Sequence, residues 1–169
     1  KYRINFKWQP LEALYGWGSH MEDYMNLRGK ELYLCQHNLK AMVPVLNSTA
    51  GYGLLFDAGC AMMFKDNSEG SFVELEAAKQ IDYYFMKGKT MDAVVANYRM
   101  LTGNSPMMPL YLFGYIQSKE RYVSSDDLIN TLKEYRQRQI PIDMIVQDWN
   151  YWPEGQWGNM SMNPKFYPD

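Results

Sequence analysis

The period of the hydrophobic pattern changes once along the chain, near Gly88, and this change limits the folds available to it. Before Gly88 the apolar residues form short runs with a period of two, as at Ile4, Phe6 and Trp8, and turn-forming residues separate the runs. Evenly spaced short strands of this kind predict an antiparallel β-sandwich over residues 1–88. The other predicted strands are Glu31–Cys35, Met42–Leu46, Tyr52–Phe56, Ala61–Phe64, Ser71–Leu75 and Gln80–Met86.

After Gly88 the apolar spacing becomes that of an amphipathic helix. Thr90 is placed to cap the first turn, and Gly103 follows where a left-handed C-terminal residue belongs. We therefore predict a connecting helix and linker over residues 89–108. The apolar residues that recur at helical spacing are Met91, Val94, Val95, Tyr98 and Leu101.

Residues 109–169 have the pattern strand, helix, strand. Leu110–Ile116 is a nearly continuous apolar run, which is typical of a strand buried on both faces of a parallel sheet. Ser124-Ser125-Asp126-Asp127 has a Ser-x-x-Asp capping pattern and predicts a helix start. Ile142–Asp148 is the second predicted buried strand, so the segment is one βαβ unit. The buried stripe of its helix is predicted at Leu128, Leu132 and Tyr135.

One βαβ unit neither closes a barrel nor fills a doubly wound sheet, since an eight-stranded barrel takes on the order of 250 residues. The whole chain has 169 residues. We therefore expect either that the second domain is completed elsewhere or that the chain is a fragment.

Charge and composition exclude several functional classes. The net charge is −2, from 17 Lys and Arg against 19 Asp and Glu, so we expect neither a nucleic acid nor a membrane as partner. Neither Cys35 and Cys60 nor His20 and His37 have the spacing of a metal site. Gly51-Tyr52-Gly53 lacks the third glycine of a dinucleotide-binding loop. We expect no metal and no cofactor.

The candidate chemistry lies behind the second predicted strand of the βαβ unit. Aromatic residues make up 15% of the chain, and three of its five tryptophans fall within residues 149–157. Glu120 and Asp148 follow the ends of the two parallel strands, which is the catalytic edge of such a sheet. Asp148 beside Trp149 and Trp152 suits a sugar, because flat aromatic faces pack on sugar rings.

Two structural alternatives stand beside this interpretation. Asp148 would serve as a cap that accepts hydrogen bonds from backbone amides of its own loop. The tryptophans would form an aromatic lid packed on the edge of the sheet. Asp126 and Asp127 are better explained as first-turn helix acids, and Asp143 points to the face opposite Asp148.

Two stretches of the chain resemble glycoside hydrolase family 31, the α-glucosidase and α-xylosidase family. Their order and spacing span nearly the whole chain. The first stretch comprises Leu14-Tyr15-Gly16-Trp17-Gly18, Asn26-Leu27-Arg28-Gly29-Lys30, Val43-Pro44-Val45-Leu46-Asn47-Ser48 and Gly51-Tyr52-Gly53-Leu54-Leu55-Phe56-Asp57. The second comprises Asp82-Tyr83-Tyr84-Phe85, Tyr98-Arg99-Met100-Leu101-Thr102-Gly103, Gly114-Tyr115-Ile116-Gln117-Ser118-Lys119-Glu120-Arg121-Tyr122, Ile140-Pro141-Ile142-Asp143 and Gln147-Asp148-Trp149-Asn150-Tyr151-Trp152.

The resemblance implies a β-sandwich packed against a (β/α)₈ barrel, of which residues 109–169 supply the first two strands. It also implies a retaining double displacement by two Asp residues on later barrel strands, so this chain contains no catalytic residue. Asp148 falls where the family has an acid that binds hydroxyls of the terminal sugar. Trp149, Tyr151 and Trp152 would line that pocket, and Glu120 is a further candidate. The role of Trp17, where other members often have an aliphatic residue, stays open.

We therefore expect part of a retaining, exo-acting α-glycosidase that hydrolyses terminal α-linked glucose or xylose from oligosaccharides. The chain alone is expected to be inactive, and its partners are the oligosaccharide substrate and the remainder of the catalytic barrel. The alternative is a non-catalytic carbohydrate-binding or structural module that uses the same aromatic surface.

Overall fold

A computed structural model describes residues 1–168, which divide into two compact units at Ser105–Pro106. The first unit holds eight strands and one helix, and the second holds a 3-10 turn, one helix and two short strands. In chain order the elements are β1 (Tyr2–Phe6), β2 (Leu14–Ser19), β3 (Glu31–Leu34), β4 (Ala41–Ser48), β5 (Tyr52–Phe56), β6 (Met62–Asn67), β7 (Gly70–Leu75), β8 (Tyr83–Lys87), α1 (Met91–Thr102), the 3-10 turn (Leu110–Phe113), β9 (Ile116–Gln117), α2 (Ser125–Gln137) and β10 (Met144–Ile145).

The first unit is a β-sandwich of two four-stranded antiparallel sheets, as the sequence predicts. One sheet has the strand order β1-β7-β6-β3 and the other the order β2-β4-β5-β8. Alternating residues of both sheets point inward and meet in a single apolar core, which holds the sheets face to face. The core residues are Leu14, Trp17, Leu27, Leu32, Leu34, Leu46, Leu54, Phe56, Met62, Phe64, Val73 and Leu75.

Strand β2 carries the least regular backbone of the sandwich, and the sequence analysis did not predict it as a strand. Its register against β4 shifts between Gly16 and Gly18, and Trp17 lies between them at φ 61°, in the left-handed region. This bulge turns the Trp17 ring inward, where it is fully buried at 5.7 Å from Phe56 and 6.0 Å from Phe64. Trp17 is therefore a core residue.

Helix α1 has the caps that its sequence predicts. Thr90 Oγ1 accepts a hydrogen bond from Ala93 N at 3.2 Å, and Gly103 ends the helix at φ 86°. The helix covers the outer face of the second sheet, because fully buried Val94 packs against Val45 and Met86. Helix α1 thus belongs to the first compact unit.

Buried polar side chains join the loops at one end of the sandwich. Glu12 accepts hydrogen bonds from Ser48 Oγ and Tyr52 OH, and Arg28 donates to the carbonyl oxygens of Gln9 and Glu12. Burial alone would raise the pKa of Glu12, but these hydrogen bonds, with one from Gln9 N and the charge of Arg28, hold that pKa below its ordinary value.

Asp66 is the second buried carboxylate of this cluster. It accepts hydrogen bonds from Ser71 Oγ, Gly29 N and Arg28 Nε. Burial opposes ionisation here too, and the same hydrogen bonds outweigh it and lower the pKa of Asp66. Because every one of these hydrogen bonds favours the ionised carboxylate, the stability of the sandwich depends on pH.

The second unit contains a parallel β9–α2–β10 arrangement, the connectivity predicted for a βαβ unit. Met144 pairs with Ile116 and Ile145 with Gln117. Ser124 Oγ caps α2 by accepting a hydrogen bond from Asp127 N at 3.2 Å. The Tyr135 ring on α2 lies 5.8 Å from the Tyr115 ring beside β9, which places the helix over that strand.

The lengths and burial predicted for these strands were wrong. Leu110–Phe113 forms a 3-10 turn in which Leu110 is 87% and Phe113 73% exposed, and the strand starts only at Ile116. Pro109 begins the turn and Gly114 ends it, and an apolar run alone does not separate a buried strand from a turn. The second strand is likewise limited to Met144–Ile145, although Ile142 is buried.

The burial predicted for the apolar residues of α2 was also wrong. Leu128, Leu132 and Tyr135 are half-buried, and no residue of α2 is fully buried. The predicted barrel segment 109–169 ends at Asp169, which lies outside the described residues.

Candidate functional site

The candidate site lies at the carboxyl edge of the two parallel strands. Glu120 follows the end of β9 by three residues, and Asp148 follows the end of β10 by the same three. The two strands pair in register, with Ile145 opposite Gln117, so their chains leave the sheet at the same edge. Such an edge is where α/β sheets present side chains to a ligand.

Asp148 is exposed, and its carboxylate has no hydrogen-bond or ion-pair partner within residues 1–168. The alternative in which Asp148 caps its loop needs bonds from backbone amides, and the described part of the chain contains none to this side chain. A carboxylate that is exposed and unpartnered is free to accept two hydrogen bonds from adjacent hydroxyl groups of a ligand.

Four aromatic rings follow Asp148 and pack on one another; we call them the aromatic cluster. Trp149 lies 6.3 Å from Trp152 and 5.5 Å from Trp157, measured between ring centroids. Trp152 lies 5.3 Å from Tyr151 and 5.4 Å from Trp157, each pair edge to face. Trp157 is 80% exposed, so the cluster presents an open ring to solvent.

The loop that carries the cluster is held at several points. Gln147 Nε2 and Tyr167 OH both donate to the carbonyl oxygen of Tyr122, which ties both ends of the loop to the segment before α2. Asn163 N donates to Tyr151 O at 2.7 Å across the loop. Asn150 takes a left-handed conformation at φ 58°, which asparagine tolerates better than most residues.

The surroundings of Tyr167 in this loop raise the pKa of its phenol. Burial raises the pKa of its phenol, and the negative charge of Asp127 raises it further against the opposing charge of Arg121. The phenol stays protonated and serves as a hydrogen-bond donor, so its role is to hold the loop.

The structure brings some of the predicted site residues together. Trp149, Tyr151 and Trp152 form one cluster next to Asp148 in the chain, whereas Glu120 is exposed and no described hydrogen bond or ion pair joins it to the others. Trp157 was missing from the predicted site residues, although it lies in the same tryptophan-rich segment. Trp157 is eight residues from Trp149 in sequence, and the two rings come into contact only because the loop folds back.

Two further acids of this unit, Asp143 and Asp127, have hydrogen-bond partners. Asp143 Oδ2 accepts a hydrogen bond from Tyr115 N at 3.0 Å, and Asp127 Oδ2 accepts one from Val123 N at 3.1 Å. Asp126 and Asp127 lie in the first turn of α2, as the sequence predicts.

Within residues 1–168 there is no group of three or more His, Cys, Asp or Glu side chains placed to hold a metal ion. Among the helices of the same residues, none combines the length and apolarity required to cross a membrane.

Comparison with known proteins supplies an independent line of evidence. Residues 105–169 match the family model described as "Glycosyl hydrolases family 31 TIM-barrel domain". The chain is 36% identical to an α-xylosidase of Saccharolobus solfataricus over 96% of its own length and 24% of that protein. It is 30% identical to an uncharacterized family 31 glucosidase of Pseudescherichia vulneris, over 98% of this chain and 31% of that protein.

Solved structures agree with this similarity. The crystal structure of a family 31 α-xylosidase from a soil metagenome, complexed with xylose, matches with a TM-score of 0.86 at 31% sequence identity. The match covers 99% of this chain and 24% of that one. The chain thus spans between about a quarter and a third of the length of these relatives.

Proposed function

The chain belongs to glycoside hydrolase family 31, and from this membership we propose that it is part of a retaining, exo-acting α-glycosidase. The proposed substrate is an oligosaccharide with a terminal α-linked xylose or glucose. The names of the α-xylosidase relatives favour xylose. As part of the proposal, residues 1–88 are a sandwich domain, residues 89–108 connect it, and residues 109–169 form the first two strands of a (β/α)₈ barrel.

One observation carries the proposal: an exposed, unpartnered Asp148 at the carboxyl edge of parallel strands, next to an open aromatic cluster. An ionised carboxylate accepts hydrogen bonds from adjacent sugar hydroxyls, and an aromatic ring covers the apolar face of the sugar. We assign Asp148 to binding of the terminal sugar, with Trp149, Tyr151 and Trp152 as walls of its pocket and Glu120 as a further contact.

Retention requires two carboxyl groups about 5 to 5.5 Å apart, one acting as nucleophile and the other as acid and then base. We place this pair outside the chain, on later strands of the barrel, because that is where the resemblance to family 31 puts it and because the chain matches only part of the length of its relatives. On this proposal the 169-residue chain alone does not hydrolyse aryl α-glycosides. Turnover by the chain would place the catalytic pair inside it.

Substitution of Asp148 in the full-length protein that carries this chain tests the binding role. We expect Asp148→Asn to lower kcat/KM for aryl α-xyloside by about tenfold or more, since a hydrogen bond to a charged partner contributes about 1.5–3 kcal/mol. Asp126→Asn is the matched control, because Asp126 is also an exposed aspartate of this unit but lies in the first turn of α2.

If Asp148→Asn keeps kcat/KM within about threefold of the parent, less than such a hydrogen bond contributes, the assignment of Asp148 is wrong. Measuring the same variants on aryl α-glucoside tests the sugar preference. A parent kcat/KM higher for the glucoside than for the xyloside would contradict the choice of xylose.

A further inference from the structure

The second unit contains a cleft of about 540 Å³, and Trp152 is the one residue of its lining that the proposed function assigns to sugar binding. We call it the lateral cleft. Three segments line it: the turn before α2, the start of the aromatic cluster and the chain near Tyr167. Its polar lining includes Arg121, Asn150, Glu154 and Asn163, and its apolar lining includes Trp152 and Phe166.

Backbone hydrogen bonds fix the three walls to one another. Asn163 N donates to Tyr151 O at 2.7 Å, which joins the second and third segments. Ser125 N donates to Phe166 O at 3.0 Å, which joins the third segment to the start of α2. A cleft with walls fixed in this way is formed before a ligand arrives, and this lowers the entropic cost of binding.

The polar groups that face the lateral cleft are available for a ligand. The side chains of Arg121, Asn150 and Glu154 have no hydrogen-bond partner within the described residues. Arg121 offers a fork of N–H donors, Glu154 offers two acceptor oxygens and Asn150 offers both kinds of group. Hydroxyl groups on a sugar ring donate and accept, so they match this mixture.

The charges of the cleft favour a neutral ligand over an anion. Arg121 is the single cationic side chain among the lining residues, and Glu154 is an anionic one. A phosphate or carboxylate ligand would gain from Arg121 but would be repelled by Glu154. A neutral pyranose uses both, while its C–H face packs on the indole ring of Trp152.

Trp152 connects the lateral cleft to the site at Asp148. Its ring lines the cleft, and it also belongs to the aromatic cluster, 6.3 Å from Trp149. We propose that the lateral cleft is a distal subsite for a neutral pyranose unit of the oligosaccharide whose terminal sugar binds at Asp148. This inference rests on the proposed function and adds a second point of substrate recognition to it.

Substrates of different length test the inference in the full-length protein that carries this chain. Aryl α-xyloside has one sugar, which the proposal places at Asp148, whereas a tetrasaccharide with terminal α-xylose also has sugar units to occupy the distal subsite. We expect Arg121→Gln to raise KM for the tetrasaccharide by about tenfold, the loss expected for a charged hydrogen bond, and to leave kcat/KM for the aryl xyloside within about twofold. Lys133→Gln removes one positive charge from an exposed site on α2 that is not part of the cleft, and we expect it to change neither value.

Equal effects of Arg121→Gln on both substrates, or no effect on the tetrasaccharide, would overturn the distal subsite. If Arg121→Gln lowers the thermal midpoint, Glu154→Gln replaces it as the test variant, and its effects on the tetrasaccharide and on the aryl xyloside are compared in the same way. Glu154 suits this purpose because it is exposed and has no described partner. Failure of the proposed function gives a different result: Asp148→Asn then leaves hydrolysis of the aryl xyloside intact.

Discussion

Gly18 is the position where a single methyl group should do most damage to the sandwich. Its φ is +89°, in the left-handed region, and a Cβ built there would overlap the backbone carbonyl oxygen of Ala41 and approach Val43 N to 2.8 Å. Both obstacles belong to the paired strand β4, so no flexible side chain can move away. Gly18→Ala must therefore distort the β2–β4 ladder.

Gly29 supplies a matched control for the backbone conformation. Its φ is +72°, yet a Cβ at this position meets no atom within 4 Å. We expect Gly29→Ala to cost about 1–2 kcal/mol, the price of the left-handed conformation alone. Gly18→Ala adds about 1–3 kcal/mol of steric strain and should therefore cost about 2–5 kcal/mol in total.

The thermal midpoint of the sandwich, followed by near-UV circular dichroism, measures the difference. At about 4–8 °C per kcal/mol for a domain of this size, the midpoint of Gly18→Ala should lie at least several degrees below that of Gly29→Ala. Equal midpoints for the two variants would refute the steric argument, because the φ values are similar and the two positions differ chiefly in the space around the Cβ.

Two further perturbations test the packing and the charges of the sandwich. The pKa values of Glu12 and Asp66 are lower in the folded chain than in the unfolded chain, so their stabilisation is complete above the unfolded pKa values of about 4 and is lost as pH falls through the lowered folded values. We expect the urea midpoint to be constant from pH 7 to about pH 5 and to decrease below about pH 4. Asp66→Asn should make this decrease smaller. If the urea midpoint of Asp66→Asn decreases with pH as steeply as that of the parent, the role of this carboxylate is contradicted. Val94→Ala removes two buried methyl groups that pack on Val45 and Met86, and it should cost about 1–2.5 kcal/mol in urea unfolding, whereas Val95→Ala on the exposed side of α1 should cost less than about 0.5 kcal/mol.

Local chemistry explains which elements of the fold were predictable. Thr90 and Ser124 cap the starts of helices α1 and α2, because a side-chain oxygen there accepts a hydrogen bond from an amide that has no partner within the helix. Strand β2 was missed because glycines such as Gly16 and Gly18 are typical of turns. These two positions require glycine because the backbone of β4 lies too close for a Cβ atom, and that contact forms only in the folded sheet.

The same distinction separates the two parts of the site. Asp148 and the nearest aromatic residues are neighbours in sequence, so a strand followed by an acid and several rings was enough to propose a sugar pocket. Arg121 and Asn163 are 42 positions apart in the numbering, and the lateral cleft between them exists because loop hydrogen bonds through Tyr122 and Tyr151 bring their segments together. When residues far apart in sequence are brought together by such hydrogen bonds, no short sequence pattern indicates that they share a site. The proposed binding of the terminal sugar could therefore be inferred from neighbouring residues in the sequence, whereas the proposed distal subsite could be inferred only from the folded structure.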